Sequence, residues 1–282
     1  MDQALREEVL RNVRLAIAED AGQADGSGDW TAQLLPAAQV RRARVICRED
    51  AILCGQAWFE ACFRQLDSAF TIDWKIAEGA RMQANEVVCE FQGHTRALLT
   101  AERPALNFLQ TLSGVASITR TYVDAVAGTR AVVMDTRKTI PGLRLAQKYA
   151  VRVGGGANQR IGLHDGILIK ENHIAPAGGV TAALNAARAL NAGVPIQIEV
   201  ETLQQFAAAL EWGATLVLLD NFSLGQIGEA VRINAGRAQL EVSGGVALSE
   251  LRAIAETGVD RISIGGLTKH VRAVDFSMRL LP

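Results

Sequence analysis

The chain has 282 residues, enough for one large α/β barrel or for two domains with a core each. Hydrophobic residues make up 49% and charged residues 21%, the balance of a soluble globular protein rather than a disordered or membrane-spanning one. A formal net charge of −1 supplies no basic field for nucleic acid, so any anionic ligand must be caught by a local cluster.

The amino terminus, MDQALREEVLRNVRLAIAED, is amphipathic and acidic and lacks the apolar core of a signal peptide. No apolar run reaches the length of a membrane span, so a cytoplasmic protein without membrane contact is expected. Leu5, Val9, Val13 and Ile17 are four apart and predict a helix over 3–18. A loop rich in turn formers, GQADGSGDWT, follows. VRRARVICRED and TIDWKIAEG alternate apolar with polar residues as half-buried strands do; GQAWFEACFRQL between them reads as a helix and EVVCEFQG as another strand. These elements predict an α+β amino-terminal domain over 1–113. Cys47, Cys54, Cys62 and Cys89 show neither CxxC nor His at ligand spacing, and buried reduced thiols are favoured over a disulfide.

Glu102 and Arg103 precede Pro104, which is expected at the first turn of a long helix, PALNFLQTLSGVASITRTYVDAVAG, apolar over a broad face. After Gly128 the rhythm becomes regular. AVVMD, GILIK, IQIEV, TLVLLD, QLEVS and RISIG are short β-branched runs separated by helical stretches, which predicts a parallel α/β barrel over 114–270. A doubly wound open sheet is the alternative, disfavoured because no GxGxxG follows a strand and polar residues close nearly every one. The tail over 271–282 is expected to pack back on the first domain.

Active sites of parallel barrels lie at the carboxyl ends of the strands. Those ends hold Asp135 with Arg137 and Lys138, then Lys170, Glu199, Asp220 with Asn221, Ser243-Gly244-Gly245, and Gly265-Gly266. Arg137, Lys138, Arg160 and Lys170 combine two forked guanidinium groups with two point charges, the combination that fixes and neutralises carboxylates or phosphates. A triple glycine just before Arg160 allows close backbone approach. Glu199 and Asp220 close successive strands and suit either Mg²⁺ or ribose hydroxyls. Glu201 borders the next helix and is set aside in favour of Glu199. The glycines at 244–245 and 265–266 expose amide groups for a phosphate. The residues thus describe a phosphorylated sugar beside a cationic pocket for a second anion.

ERPALNFLQTLSGVAS, MDTRKTIPGLRLAQKYAV, GGGANQRIGLHDGILIKENHI, IEVET, LLDNF, VSGGV and SIGGLTKH, in that order, resemble the quinolinate phosphoribosyltransferase (nicotinate-nucleotide pyrophosphorylase) family. The resemblance implies an incomplete barrel of about seven strands beneath the α+β domain. It implies phosphoribosyl transfer from phosphoribosyl pyrophosphate to quinolinate with decarboxylation, giving nicotinate mononucleotide, pyrophosphate and CO₂ in NAD biosynthesis, with Mg²⁺. It also implies a homodimer in which Arg103 enters the partner's site. Arg103, Arg137, Arg160 and Lys170 then match the quinolinate carboxylates, Lys138 sits between quinolinate and pyrophosphate, and Glu199 and Asp220 become ribose and metal contacts. One residue departs: the family usually has His before the Arg of this glycine motif, and here it is Gln159. Gln donates a hydrogen bond but cannot carry charge, so active protein with weaker quinolinate binding is expected. The rivals are a paralogue acting on another aromatic acid and a non-catalytic sensor of phosphoribosyl compounds.

Overall fold

The computed structural model describes residues 2–282, which form two compact units. The first comprises residues up to Arg120, Thr139–Gly155 and Thr268–Pro282. It opens with α1 (Gln3–Ala21), whose buried face includes the expected Leu5, Val9, Val13 and Ile17. Asp2 caps it by accepting from Leu5 N–H at 2.9 Å, and Gly22 ends it in the left-handed region.

Strands β1 (Val40–Cys47), β3 (Thr71–Trp74), β5 (Val87–His94) and the final strand β12 (Phe276–Leu280) make an antiparallel sheet ordered β12-β1-β5-β3. A separate two-residue pairing joins β2 (Ala51–Ile52) to β4 (Arg81–Met82). Helix α2 (Gln56–Leu66) places Phe59 and Phe63 against Phe91 of the sheet, with ring centroids 5.6 and 5.0 Å away. The four cysteine thiols are free and buried, and burial raises their pKa values, which keeps them protonated and inert.

The long helix differs from expectation. It is α3 (Thr95–Ala125), so Pro104 is interior rather than at the first turn. An interior proline forfeits a backbone bond and crowds the preceding turn, at about 3 kcal/mol. Leu98, Leu106, Leu109 and Leu112 are all buried along the same helix, at roughly 1.5–3 kcal/mol apiece, and that burial outweighs the defect. Helix α4 (Arg144–Val153) closes this unit, where Tyr149 Oη–H donates to Glu78 Oε1 at 2.9 Å.

The second unit, Thr121–Lys138 and Gly156–Leu267, is the barrel. Its strands are β6 (Val132–Met134), β7 (Ile167–Ile169), β8 (Ile196–Val200), β9 (Leu216–Asp220), β10 (Gln239–Ser243) and β11 (Arg261–Ser263). All pair in parallel, in the order β6-β11-β10-β9-β8-β7. A one-residue bridge from Ala157 to Met134 adds the start of a seventh. Among the described residues no ladder joins β7 to that segment, and the barrel is incomplete. Helices α5 (Glu171–Ala177), α6 (Val180–Ala189), α7 (Leu203–Trp212), α8 (Leu224–Asn234) and α9 (Leu248–Glu256) fill the connections from β7 to β11.

Strand β8 shows how the interior is made. Ile198 and Val200 point one way, while Gln197 and Glu199, two apart, share the other face. In β10, Glu241 and Ser243 do the same. Buried parallel strands usually read as continuous apolar runs, so these alternating polar residues mark the side that faces a site.

Candidate active site

A cavity of about 140 Å³ opens in the barrel unit. Arg137, Lys138, Gln159, Arg160, Lys170, Glu199 and Ser243, expected from sequence at scattered positions, all line it. Each arrives from the end of a strand or from the loop that follows one. Arg137 and Lys138 follow β6, Lys170 follows β7 as the cap of α5, Glu199 is in β8, and Ser243 closes β10.

Arg160 Nη1 donates to Gly166 O at 2.7 Å, which aims the guanidinium. Desolvation, and then the nearby Arg137 charge, lower the Arg160 pKa from its usual value. Two guanidinium groups that feel each other's charge at one cavity favour an anionic ligand there. Lys170 Nζ donates to Glu199 Oε2 at 2.7 Å. Burial raises the Glu199 pKa, the Lys170 contacts oppose the rise, and the Asp220 carboxylate adds to it. Glu199 and Asp220 are therefore electrostatic neighbours, although Asp220 does not itself line the cavity. The exposed Glu201 is absent from the lining.

The glycines have distinct duties. Gly244 has φ +106°, and a Cβ there would lie 2.3 Å from Asn221 Oδ1 and 2.7 Å from Asn221 N. Ser243, Gly244 and Asn221 line a second cavity of about 570 Å³ in the same unit, and Gly245 is also left-handed at φ +60°. A Cβ on Gly265 would come 3.0 Å from Lys138 Cδ, so that glycine makes room for the lysine stem. Gly266 begins a four-residue helix. Arg103 is exposed in the first unit, where it lines a cavity of about 410 Å³ with residues of α1, α3 and the Pro141–Leu143 turn.

Sequence reasoning singled out neither Glu241 nor the two leucines of the lining, Leu168 and Leu218. Glu241 is 1% exposed, and its carboxylate accepts from Gln159 Nε2 at 3.0 and 3.1 Å. Leu218 stands in register between Glu199 and Glu241 and, with Leu168, supplies apolar wall. Period-two polarity in QLEVS was the available signal for Glu241; strand ends alone did not include it. Four cations against two carboxylates leave the cavity with two surplus positive charges and a partly apolar wall. That suits a flat dianion.

Residues 115–279 match the family described as quinolinate phosphoribosyl transferase, C-terminal domain, and residues 29–113 match its N-terminal domain. The chain belongs to the quinolinate phosphoribosyltransferase family. The chain is 41% identical, over 95% of each sequence, to a Mycobacterium leprae protein named nicotinate-nucleotide pyrophosphorylase (carboxylating). It is 36% identical to a Nicotiana glauca quinolinate phosphoribosyltransferase (decarboxylating), covering 95% of this chain and 81% of that one. The solved nicotinate-nucleotide pyrophosphorylase of Francisella tularensis superposes with a TM-score of 0.93 at 44% identity, covering 98% and 97% of the two chains. No helix among the described residues is long and apolar enough to cross a membrane.

Proposed function

We propose that this quinolinate phosphoribosyltransferase family member transfers the phosphoribosyl group of phosphoribosyl pyrophosphate to quinolinate with decarboxylation. The products are nicotinate mononucleotide, pyrophosphate and CO₂, and the reaction serves NAD biosynthesis in the cytoplasm. The supporting observation is the small cavity ringed by Arg137, Lys138, Arg160 and Lys170, whose surplus of two positive charges equals the charge of quinolinate.

Arg137, Arg160 and Lys170 hold the two carboxylates, joined by Arg103 from the partner subunit of a homodimer. Gln159 packs behind them. The pyridine nitrogen attacks C1 of the ribose as the bond from C1 to the pyrophosphate oxygen breaks. Lys138, beside Gly265, neutralises charge between the two reactants. Glu199 and Asp220 face the positive charge that develops on the ribose. The pyridinium nitrogen then stabilises the electron pair left on the ring when the adjacent carboxylate departs as CO₂, and a proton replaces it. Positioning and charge supply most of the catalysis. Amides of Ser243-Gly244-Gly245 and Gly265-Gly266 receive the phosphate.

The donor set also fits Mg²⁺. The Asp220 carboxylate adds to the cost of ionising Glu199, a cost that a divalent cation beside them would relieve. Glu199 and Asp220 would hold the ion as its two protein carboxylates, a number that suits Mg²⁺, which usually keeps substrate oxygens and water as its other ligands. Held by Glu199 and Asp220, the ion would supply charge neutralisation for pyrophosphate.

The test is direct. Purified protein with phosphoribosyl pyrophosphate and Mg²⁺ is expected to consume quinolinate with stoichiometric release of CO₂ and to leave nicotinate untouched. Turnover of nicotinate without CO₂ favours the paralogue reading. Binding without turnover of either acid favours a sensor.

A further inference from the structure

The family reaction does not by itself assign a role to Glu241, a buried carboxylate in the cavity lining, or to the two amides, Gln159 and Gln197, that donate to it. Gln197 is 7% exposed and Glu241 1%, yet three polar side chains meet here. Gln159 Nε2 donates to Gln197 Oε1 at 2.8 Å and to both oxygens of Glu241. Gln197 Nε2 donates to Glu241 Oε2 at 3.0 Å. The Gln159 Oε1 atom, facing the other way, accepts from the Arg160 backbone N–H at 2.7 Å.

The direction of every bond follows from one group. A carboxylate only accepts, so both amides must turn their NH₂ groups toward Glu241. Gln159 Oε1 is then forced toward Arg160 N–H. If position 241 held a neutral amide, all three side chains could flip together and remain mutually hydrogen bonded. Only the Arg160 N–H would then lose its acceptor and face an NH₂. We infer that Glu241 is a positioning residue for dianion binding. Through Gln159 it fixes the backbone turn from which the Arg160 side chain reaches Gly166 O and the cavity. A second buried carboxylate, Asp135 (0% exposed), holds the same turn by accepting from Gln159 N–H at 2.9 Å and Asn158 Nδ2 at 2.6 Å. The backbone and the side chain of Gln159 are thus tied to different acids.

Charge and positioning predict opposite signs. Removing a buried negative charge beside a dianion pocket tightens the dianion if charge is all that matters. Losing the orientation of Gln159 weakens it. The inference rests on the quinolinate reading, so binding is measured apart from turnover, with quinolinate and with phthalate, the dicarboxylate lacking the ring nitrogen. Glu241→Gln in the full-length protein is expected to weaken both dicarboxylates about tenfold and to raise the quinolinate KM alike, the scale of one misdirected hydrogen bond. The KM for phosphoribosyl pyrophosphate stays within about twofold. In a Gln159→Ala background the same change adds nothing further, a non-additivity that a purely structural role does not produce. Gln159→Met serves as the second variant should Glu241→Gln fail to fold, with the same loss expected. Unchanged or tighter dicarboxylate binding in these variants overturns the positioning role. Normal dicarboxylate binding by the native protein without turnover overturns the catalytic reading instead and leaves this one measurable. Failure of the native protein to bind either dicarboxylate overturns both.

Discussion

Lys170 Nζ reaches Glu199 Oε2 across 2.7 Å, tying the residue that follows β7 to the interior face of β8. In the proposed mechanism the pair puts a cation for substrate and an acid for the ribose in mutual control. Burial raises the Glu199 pKa above its ordinary 4.5, Lys170 pulls it back, and Asp220 pushes it up. If the ionised acid is the working form, activity falls as pH drops through that raised pKa. The acid limb of kcat/KM is expected above pH 4.5 and is expected to move higher still in Lys170→Met. An unmoved acid limb in that variant would dissociate Glu199 from catalysis.

The same shift carries a stability consequence. A carboxyl whose folded pKa is raised binds its proton more tightly in the folded than in the unfolded chain. Its contribution is favourable at low pH and is lost as pH rises through the folded pKa, so at pH 7 the ionised Glu199 costs stability. Glu199→Gln is therefore expected to raise the melting temperature at pH 7, with a smaller gain at pH 4, while abolishing turnover. Equal melting temperatures at both pH values would contradict it.

Gln159 has both ends of its amide engaged, with Oε1 on Arg160 N–H and Nε2 on Gln197 and Glu241. Replacing it with His puts an imidazole beside the Glu241 carboxylate, which favours the protonated ring. Gln159→His removes the acceptor that Gln159 Oε1 gives to Arg160 N–H, so its gain is read within the variant: the charged imidazole is expected to bind quinolinate tighter than the neutral one by on the order of 1 kcal/mol, about fivefold. The gain is complete below the usual imidazole pKa of about 6.5 and disappears as pH rises through the raised value. The measurement is quinolinate KM from pH 5.5 to 9 for both proteins. Identical profiles would mean that position 159 acts by shape rather than charge.

Much of this architecture was legible. Strand–helix alternation after Gly128 named the barrel, and polar strand ends named Arg137, Lys138, Lys170 and Glu199 as a set, because parallel topology sends all those ends to one side. Two things were hidden for physical reasons. Pro104 reads locally as a helix start, and only the buried leucines on both sides of it, a tertiary effect, carry the helix back to Thr95. Glu241 sits two residues before its strand end, where an acid reads as an exposed strand position until the opposite side of the strand is seen to be buried by helices.

Gly244 offers a local test of the phosphate reading. Alanine there meets Asn221 at 2.3 and 2.7 Å and must hold φ +106°. The strain is of order 1–3 kcal/mol and falls on the turn after β10, against Asn221. Gly244→Ala is expected to raise the KM for phosphoribosyl pyrophosphate about tenfold or more while quinolinate affinity, measured without the second substrate, stays unchanged. Equal damage to both substrates would remove the turn from the phosphate site.

Arg103 poses the remaining question, because it belongs to the amino-terminal unit and lines a different cavity from the four barrel cations. The proposed homodimer answers it by exchange: each subunit lends Arg103 to its partner's site. Arg103→Ala and Lys138→Met are each expected to be nearly inactive alone. Co-refolded in equal amounts, half of the dimers are mixed. In each mixed dimer one site receives both defects and the other receives neither, because the missing groups come from different chains. About a quarter of native activity should return, as for any shared site in a two-fold dimer. If Arg103 instead serves its own subunit, every site in the mixture carries one defect and no activity returns.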